Sequence, residues 1–251
     1  MKHVKTLIFA LMILMCFPLG AIAFTHVPKT IYIGTTYNGA KMHISGEIGS
    51  NEDAVVQILG SDQEAHFKLK GKVWGIFWMT VAHLTFKHSP SVYMLYLPHH
   101  LATLGESQLE KWGFGYPVIY SRITIEPPPK NKQQIFEDFL KLKQKDKLYK
   151  IEDNGITYTM RGDKKVFDAV VNLPPKIPPG RYEIKVYRIG PDKHIRGVET
   201  DYFEIKLKGF PLFISQMAFN HSLLYGILAV IIAVMAGFLM GFLFKDKGGA
   251  H

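Results

Sequence analysis

Apolar residues crowd the two ends of the chain and alternate with polar ones in between. After Lys2 and Lys5, an uncharged apolar run covers Leu7 to Leu19, followed by Gly20 and then Ala21-Ile22-Ala23. A positive start, a short apolar stretch and small residues at the minus-three and minus-one positions are the order of a secretory signal peptide, so residues 1–23 are predicted to be a leader cut after Ala23. The run is short of the roughly 20 residues that a spanning helix needs, which disfavours an uncleaved anchor. Cys16, the single cysteine, lies inside this leader, with Leu14 and Met15 where a lipoprotein cysteine has small residues. The mature chain is then free of cysteine, and no disulfide supports its fold in an oxidising compartment.

At the other end, residues 209–244 contain no Asp, Glu, Lys or Arg, and residues 223–244 are almost wholly apolar. At 1.5 Å per residue that stretch covers roughly 33 Å, enough to cross a bilayer core of about 30 Å. Lys245 and Lys247 follow directly, and the positive-inside tendency assigns residues 245–251 to the cytoplasm. Upstream, Phe210, Phe213, Ile214 and Met217 recur at helical spacing after Gly209. They predict an interfacial segment over residues 209–222, joined to an aromatic belt by Phe219 and Tyr225. Packing of the same residues on the base of the outer domain is an equal alternative. Within the span, Ala229, Ala233, Gly237 and Gly241 are spaced by four and line one helix face, which lets another helix approach closely in lipid.

Between the ends, short strands separated by turn residues are predicted at 30–33, 41–48, 54–59, 65–69, 76–80, 84–86, 91–97 and 119–125. Met42, Ile44 and Ile48 alternate with His43, Ser45 and Glu47, the mark of a strand with one buried face. Residues 103–112 are expected to form a helical insertion. After the extended connector that begins Glu126-Pro127-Pro128-Pro129, residues 132–145 read as an amphipathic helix. Its apolar stripe is Ile135, Phe136, Phe139, Leu140 and Leu142, set opposite Glu137, Asp138, Lys141 and Lys143. Further strands follow at 156–160, 166–173, 181–189 and 199–207, with Gly190-Pro191-Asp192 turning between the last two. The expected fold is mainly β: an Ig-like β-sandwich ectodomain with an amphipathic helix and a C-terminal transmembrane helix. Two modules are favoured, residues 24–126 and a membrane-proximal 127–208, with one composite sandwich as the alternative.

Composition sharpens this only slightly. The 251 residues carry a formal charge of +9, yet the stretch between leader and span keeps a net of +6, densest around Lys141 to Lys150. For an exported chain this rules against nucleic acid and suits a solvated helix face, or a surface that meets anionic lipid or an anionic partner. His83, His88, His99 and His100 fall within eighteen residues and suggest a metal site. In extended chain, however, positions five apart point to opposite faces, and no His/Cys spacing or carboxylate pair accompanies them, so no metal or other cofactor is expected. His43 is read as a surface residue. No nucleophile elbow or phosphate loop occurs, and the chain is expected not to be an enzyme. Trp74, Phe77 and Trp78 could line a ligand platform, but aromatics amid strands are expected in the core.

A set of landmarks resembles an uncharacterised family described as putative transmembrane proteins of alphaproteobacteria. The pieces are Tyr37-Asn38-Gly39, Ser45-Gly46, Val73-Trp74-Gly75-Ile76-Phe77-Trp78-Met79, Pro90-Ser91-Val92-Tyr93, Leu148-Tyr149 and Leu173-Pro174. Pro178-Pro179-Gly180-Arg181-Tyr182, Leu224-Tyr225-Gly226 and Phe244-Lys245 complete the set. The resemblance implies a signal peptide, an extracytoplasmic region and one C-terminal span, with no catalytic residues to carry over. It also implies an accessory role beside a multi-span permease similar to sulfite exporters. The reading that results is a periplasmic domain held on the inner membrane by one helix, whose small-residue face docks on another integral membrane protein or a second copy. An independent ligand-binding or sensing domain is the alternative.

Overall fold

The computed structural model describes residues 24–73 and 76–244; the predicted leader and cytoplasmic tail lie outside them. Strands β1 (Phe24–Val27), β3 (Ala40–Gly49), β10 (Thr157–Arg161) and β11 (Lys164–Leu173) form an antiparallel sheet in the order β1-β3-β11-β10. A six-stranded sheet contains β2 (Thr30–Ile33), β4 (Asp53–Gly60), β7 (Tyr93–Leu97), β9 (Tyr149–Asp153), β12 (Gly180–Ile189) and β13 (Ile195–Leu207). Its order is β2-β13-β12-β4-β7-β9, antiparallel at the centre and parallel where β2 and β9 join the edges. The third sheet is β5 (Asp62–Val73), β6 (Phe77–Pro90) and the short β8 (Thr124–Glu126).

Period-two patterning explains how these sheets bury their faces. Met42, Ile44 and Ile48 of β3 are buried while His43 between them is exposed. Opposite them in register, Ala169 and Val171 of β11 are also buried. In the six-stranded sheet, Ile184 and Val186 pair with Ile58 and Val56, and all four side chains are shielded from water. These rows belong to one buried apolar cluster. Strands β4 and β7 are buried at nearly every position, as expected for strands covered on both faces. The second cover is a helical insertion of α1 (His99–Ala102), α2 (Glu106–Lys111) and α3 (Tyr116–Arg122). From it, Phe114 meets Tyr187 edge to face at 4.7 Å and Trp112 Nε1 donates to the Lys193 carbonyl at 2.9 Å.

Several elements differ from their sequence expectation. The predicted strand at 119–125 is instead α3 followed by β8. Gly115 (φ 95°) opens the helix and Pro117 fixes φ in its first turn, so Ile119 and Ile123 are buried four apart rather than alternately. The insertion expected at 103–112 begins at His99 and is broken at Gly105, whose φ of 87° belongs to the left-handed region. Strands expected at 76–80 and 84–86 are one strand, β6. The short strands β1 and β9 were not expected. The boundary near residue 126 separates no sheets: β3 pairs with β11, β4 with β12 and β7 with β9 across it.

Helix α4 (Lys132–Lys145) has the limits its pattern predicts, with Asn131 Oδ1 accepting from the Gln134 amide at 3.2 Å as its cap. One residue departs from the pattern. Lys143 is buried, because it shares a face with Phe136 and Phe139 and not with Lys141. After β13, only Lys208 and Gly209 precede α5 (Phe210–Asn220), which leads at once into α6 (Ser222–Phe244).

Candidate functional site

The candidate surface lies at one end of the molecule and follows from strand register. Gly60 of β4, Tyr182 of β12 and Phe203 of β13 stand in one row across the six-stranded sheet. Strands β4 and β13 run parallel to one another, so both leave the sheet at the same edge. Past that row β13 runs on to Leu207 and into α5 and α6. Beyond Gly60 the chain does not turn: the β4–β7 ladder continues as Gly60 N to Val92 O (2.9 Å) and Ser91 N to Ser61 O (2.9 Å) into the pair Asp62 and Pro90. Strands β5 and β6 are thus the outward extension of β4 and β7, one two-stranded ribbon that protrudes as an arm, paired as far as Val73 and Phe77.

The arm has two chemically different faces. Phe67 and Leu69 pair with Leu84 and Ala82, and toward the base this face packs on α4. There Phe67, Phe86 and Phe139 meet ring to ring, with Phe86 stacked on Phe139 at 4.5 Å. The same face continues to the tip beyond the cover of α4, through Gly71, Met79, Val81 and Phe77. Phe77 is 60% exposed, Met79 56%, Val81 50% and the adjacent Ile76 75%. On the other face His66, Lys68, Lys70 and Lys72 occupy every second position of β5, all exposed. Two irregularities bend the ribbon, one between Gln63 and Ala65 and one between Leu69 and Lys70. His88, with φ of 58°, lies opposite the first of them.

The base of the arm is knit by polar contacts in a dry setting. The Tyr149 hydroxyl donates to the Pro90 carbonyl at 2.7 Å and lies 3.3 Å from Ser89 Oγ, and burial raises its pKa. Lys143 Nζ donates to the Ser91 carbonyl at 3.4 Å and faces the rings of Phe139 and Tyr149, and burial lowers its pKa. The Tyr93 hydroxyl accepts from the Gly115 amide at 2.7 Å. Two of the landmark pieces therefore meet, Pro90–Tyr93 against Leu148-Tyr149, since the Tyr93 amide also donates to the Leu148 carbonyl at 2.9 Å. Other landmarks are packing devices. A Cβ on Gly39 (φ 96°) would lie 2.7 Å from the Leu173 carbonyl, and one on Gly46 would lie 2.8 Å from the Phe167 ring.

Helix α6 exposes all its large apolar side chains except the half-buried Leu228, and Ala229, Ala233, Gly237 and Gly241 lie along it with nothing from the rest of the chain within 4 Å of a Cβ added at either glycine. Among the described residues it is the one helix long and apolar enough to cross a bilayer, 23 residues or about 35 Å. In α5, Phe210 (63%) and Phe213 (48%) are exposed, while Ile214 and Met217 are half-buried. Expectations fare unevenly here. Phe77 is outside the core, not in it, and Trp74 lies beyond the described residues. The four histidines are not gathered: His83 and His88 are exposed on β6, His99 is 3.5 Å from Asp153, and His100 is 2.7 Å from Asp53. Among the described residues no three His, Cys, Asp or Glu side chains are grouped to hold a metal ion. A cleft of about 430 Å³ between β3 and β11 has Arg161 and Lys164, but both face Glu47, at 3.7 and 3.1 Å.

The sequence does not announce the arm, because its halves read as separate short strands. Its signal was present nonetheless, in the alternation of Phe67 and Leu69 with His66, Lys68, Lys70 and Lys72.

A strand-rich domain joined to one apolar helix defines a membrane-associated protein of mixed strand and helix. More particularly, residues 21–246 match the family described as "Putative transmembrane protein (Alph_Pro_TM)", and the chain belongs to that family. No curated protein matches the chain.

Proposed function

We propose that this is a single-pass, non-enzymatic accessory protein of a multi-span membrane transporter, of the sulfite-exporter-like permease kind. Its strand-rich domain, an Ig-like β-sandwich, is held on the periplasmic side of the inner membrane, and its C-terminus is cytoplasmic. The observation that carries this reading is α6. Its 23 residues have no charge, bury nothing within the chain and align Ala229, Ala233, Gly237 and Gly241 toward a face that a second helix can approach closely. Support for the sandwich is the single buried cluster that unites the four-stranded and six-stranded sheets. The short link through Lys208 and Gly209 keeps the domain against the bilayer, over the outer mouth of such a partner.

The test is co-purification of the full chain from its native membrane with replacement of both glycines. Gly237→Leu with Gly241→Leu is expected to abolish recovery of a membrane partner without reducing the amount of anchored protein. Unchanged recovery would overturn the docking role.

A further inference from the structure

We propose that the β5–β6 arm is a second membrane contact, a ribbon whose apolar tip enters the outer-leaflet interface beside α6 while its lysine face engages anionic lipid headgroups. The inference rests on attachment of the chain by α6, and not on the docking of that helix against another. Three observations lead to it.

The first is direction and reach. The arm leaves the six-stranded sheet at the edge where β13 leaves for the anchor, two strands away, which is about 10 Å. From Asp62 to Val73 its contour is about 36 Å, against about 13 Å that β13 runs on past Phe203. It is long enough to reach the level of α5 and the outer end of α6.

The second is the tip. Ile76, Phe77, Met79 and Val81 are each at least half exposed and lie together within six residues at the end of one ribbon, whereas other exposed apolar strand residues such as Val27 and Met160 are scattered over separate strands. Contiguous apolar surface of this kind marks an interaction site, and an aromatic side chain among aliphatic ones suits the interfacial zone of a bilayer.

The third is charge. Lys68 and Lys70 are exposed, and among the described residues neither has a carboxylate within ion-pair distance. A face of regularly spaced lysines backing an apolar face is the arrangement that binds anionic interfaces, with long side chains reaching phosphates at their own depth. These lysines also disfavour the competing occupant, a second copy adding a strand to β5. That strand is the free edge of its sheet, and lysines on an edge repel strand addition.

The experiment uses the full chain in lipid nanodiscs, in a Cys16→Ser background, with an environment-sensitive fluorophore at Met79→Cys. Lys193→Cys, in the β12–β13 turn at the opposite end of the domain, is the control. Lipids with a nitroxide near the headgroup are expected to quench the label at position 79 and not at 193, more strongly when phosphatidylglycerol is included. Lys68→Glu and Lys70→Glu are each expected to lower the ratio of inserted to free arm about fivefold in the anionic discs, with little change in phosphatidylcholine alone. Equal quenching at 79 and 193 in both lipids would overturn the proposal. So would a label at 79 that escapes lipid quenching but transfers energy to a label on a second chain, the result that assigns the face to self-association. Incorporation of the chain is read separately, by co-migration with the discs: a chain that does not co-migrate overturns attachment by α6, whereas one that co-migrates with an unquenched arm overturns the arm's role alone.

Discussion

The ring of Phe86 on β6 lies over that of Phe139 on α4, 4.5 Å between centroids and 15° from parallel, and this stack fastens the base of the arm to the helix beneath it. Phe67 and Tyr149 close on Phe139 edge to face, at 5.4 and 5.8 Å. Phe139→Ala removes the ring that all three share. A loss of about 3–5 kcal/mol in unfolding free energy is expected, measured by denaturant titration of the full chain in detergent. A loss under about 1 kcal/mol would mean that the site refills and the stack is not what holds the arm.

Gly60 marks where sheet becomes arm. A Cβ there would overlap Ser91 Oγ and come within 3.0 Å of the Val92 amide nitrogen and 3.1 Å of the Tyr182 ring. The hydroxyl can rotate away, but the backbone amide cannot. Gly60→Ala is expected to destabilise by roughly 1–3 kcal/mol, and amide exchange should accelerate first at Gly60 and Ser91, whose hydrogen bonds flank the new methyl. Unchanged exchange at both would refute the overlap.

Lys143 makes stability depend on alkaline pH. Burial depresses its pKa, with the charge of Asp146 acting in the opposite sense, so the native state releases this proton below the ordinary value of 10.5 and the unfolded chain retains it until then. In that window the unfolded state binds more protons, and the contribution of Lys143 to stability rises with pH. Relative to Lys143→Met, the wild-type chain is expected to gain up to about 1.4 kcal/mol per pH unit as the pH climbs toward 10.5. Parallel curves for the two proteins would show that the amine is not desolvated.

Asp53 behaves in the reverse manner, at acid pH. Burial acts to raise its pKa, but hydrogen bonds from His100 at 2.7 Å and Lys165 at 3.1 Å, with their charges, outweigh it and hold the carboxyl below the usual 3.8. The resulting stability is present in full above 3.8 and is lost as the pH falls through the lowered folded value. Asp53→Asn is expected to cost roughly 1–3 kcal/mol at neutral pH, with the difference from wild type shrinking in acid. A difference that stays constant on acidification would assign the effect to packing.

Legibility in the sequence followed the length and regularity of each element. Helix α4 is readable to the residue because a capping Asn131 and a sustained apolar stripe agree, yet its buried lysine is not, since the charge at position 143 argues for solvent although its spacing from Phe136 and Phe139 puts it on their face. Strand β9, with five residues and two lysine or glutamate positions, is too short for periodicity to register. The segment 119–125 reads as a strand by its isoleucines, and only the Gly115 and Pro117 geometry converts it into a helix. Of the candidate surface, α6 was plain from composition. The arm was not, because the extra residue near Val81 shifts the register and divides one long strand into two apparent short ones. Nor does a sequence say that β5 extends β4: that depends on the Gly60 and Ser91 hydrogen bonds to partners about thirty residues away.

The brevity of the link between β13 and α5 also limits what the domain can do. Lys208 and Gly209 provide about 7 Å of chain, and Gly209, at φ of 63°, is the sole left-handed pivot in it. A domain on so short a leash can swivel but cannot roam. Its encounters are set by lateral diffusion of the anchor in the plane of the membrane, so a neighbour in the same bilayer meets it at high local concentration, while anything farther off must come to it.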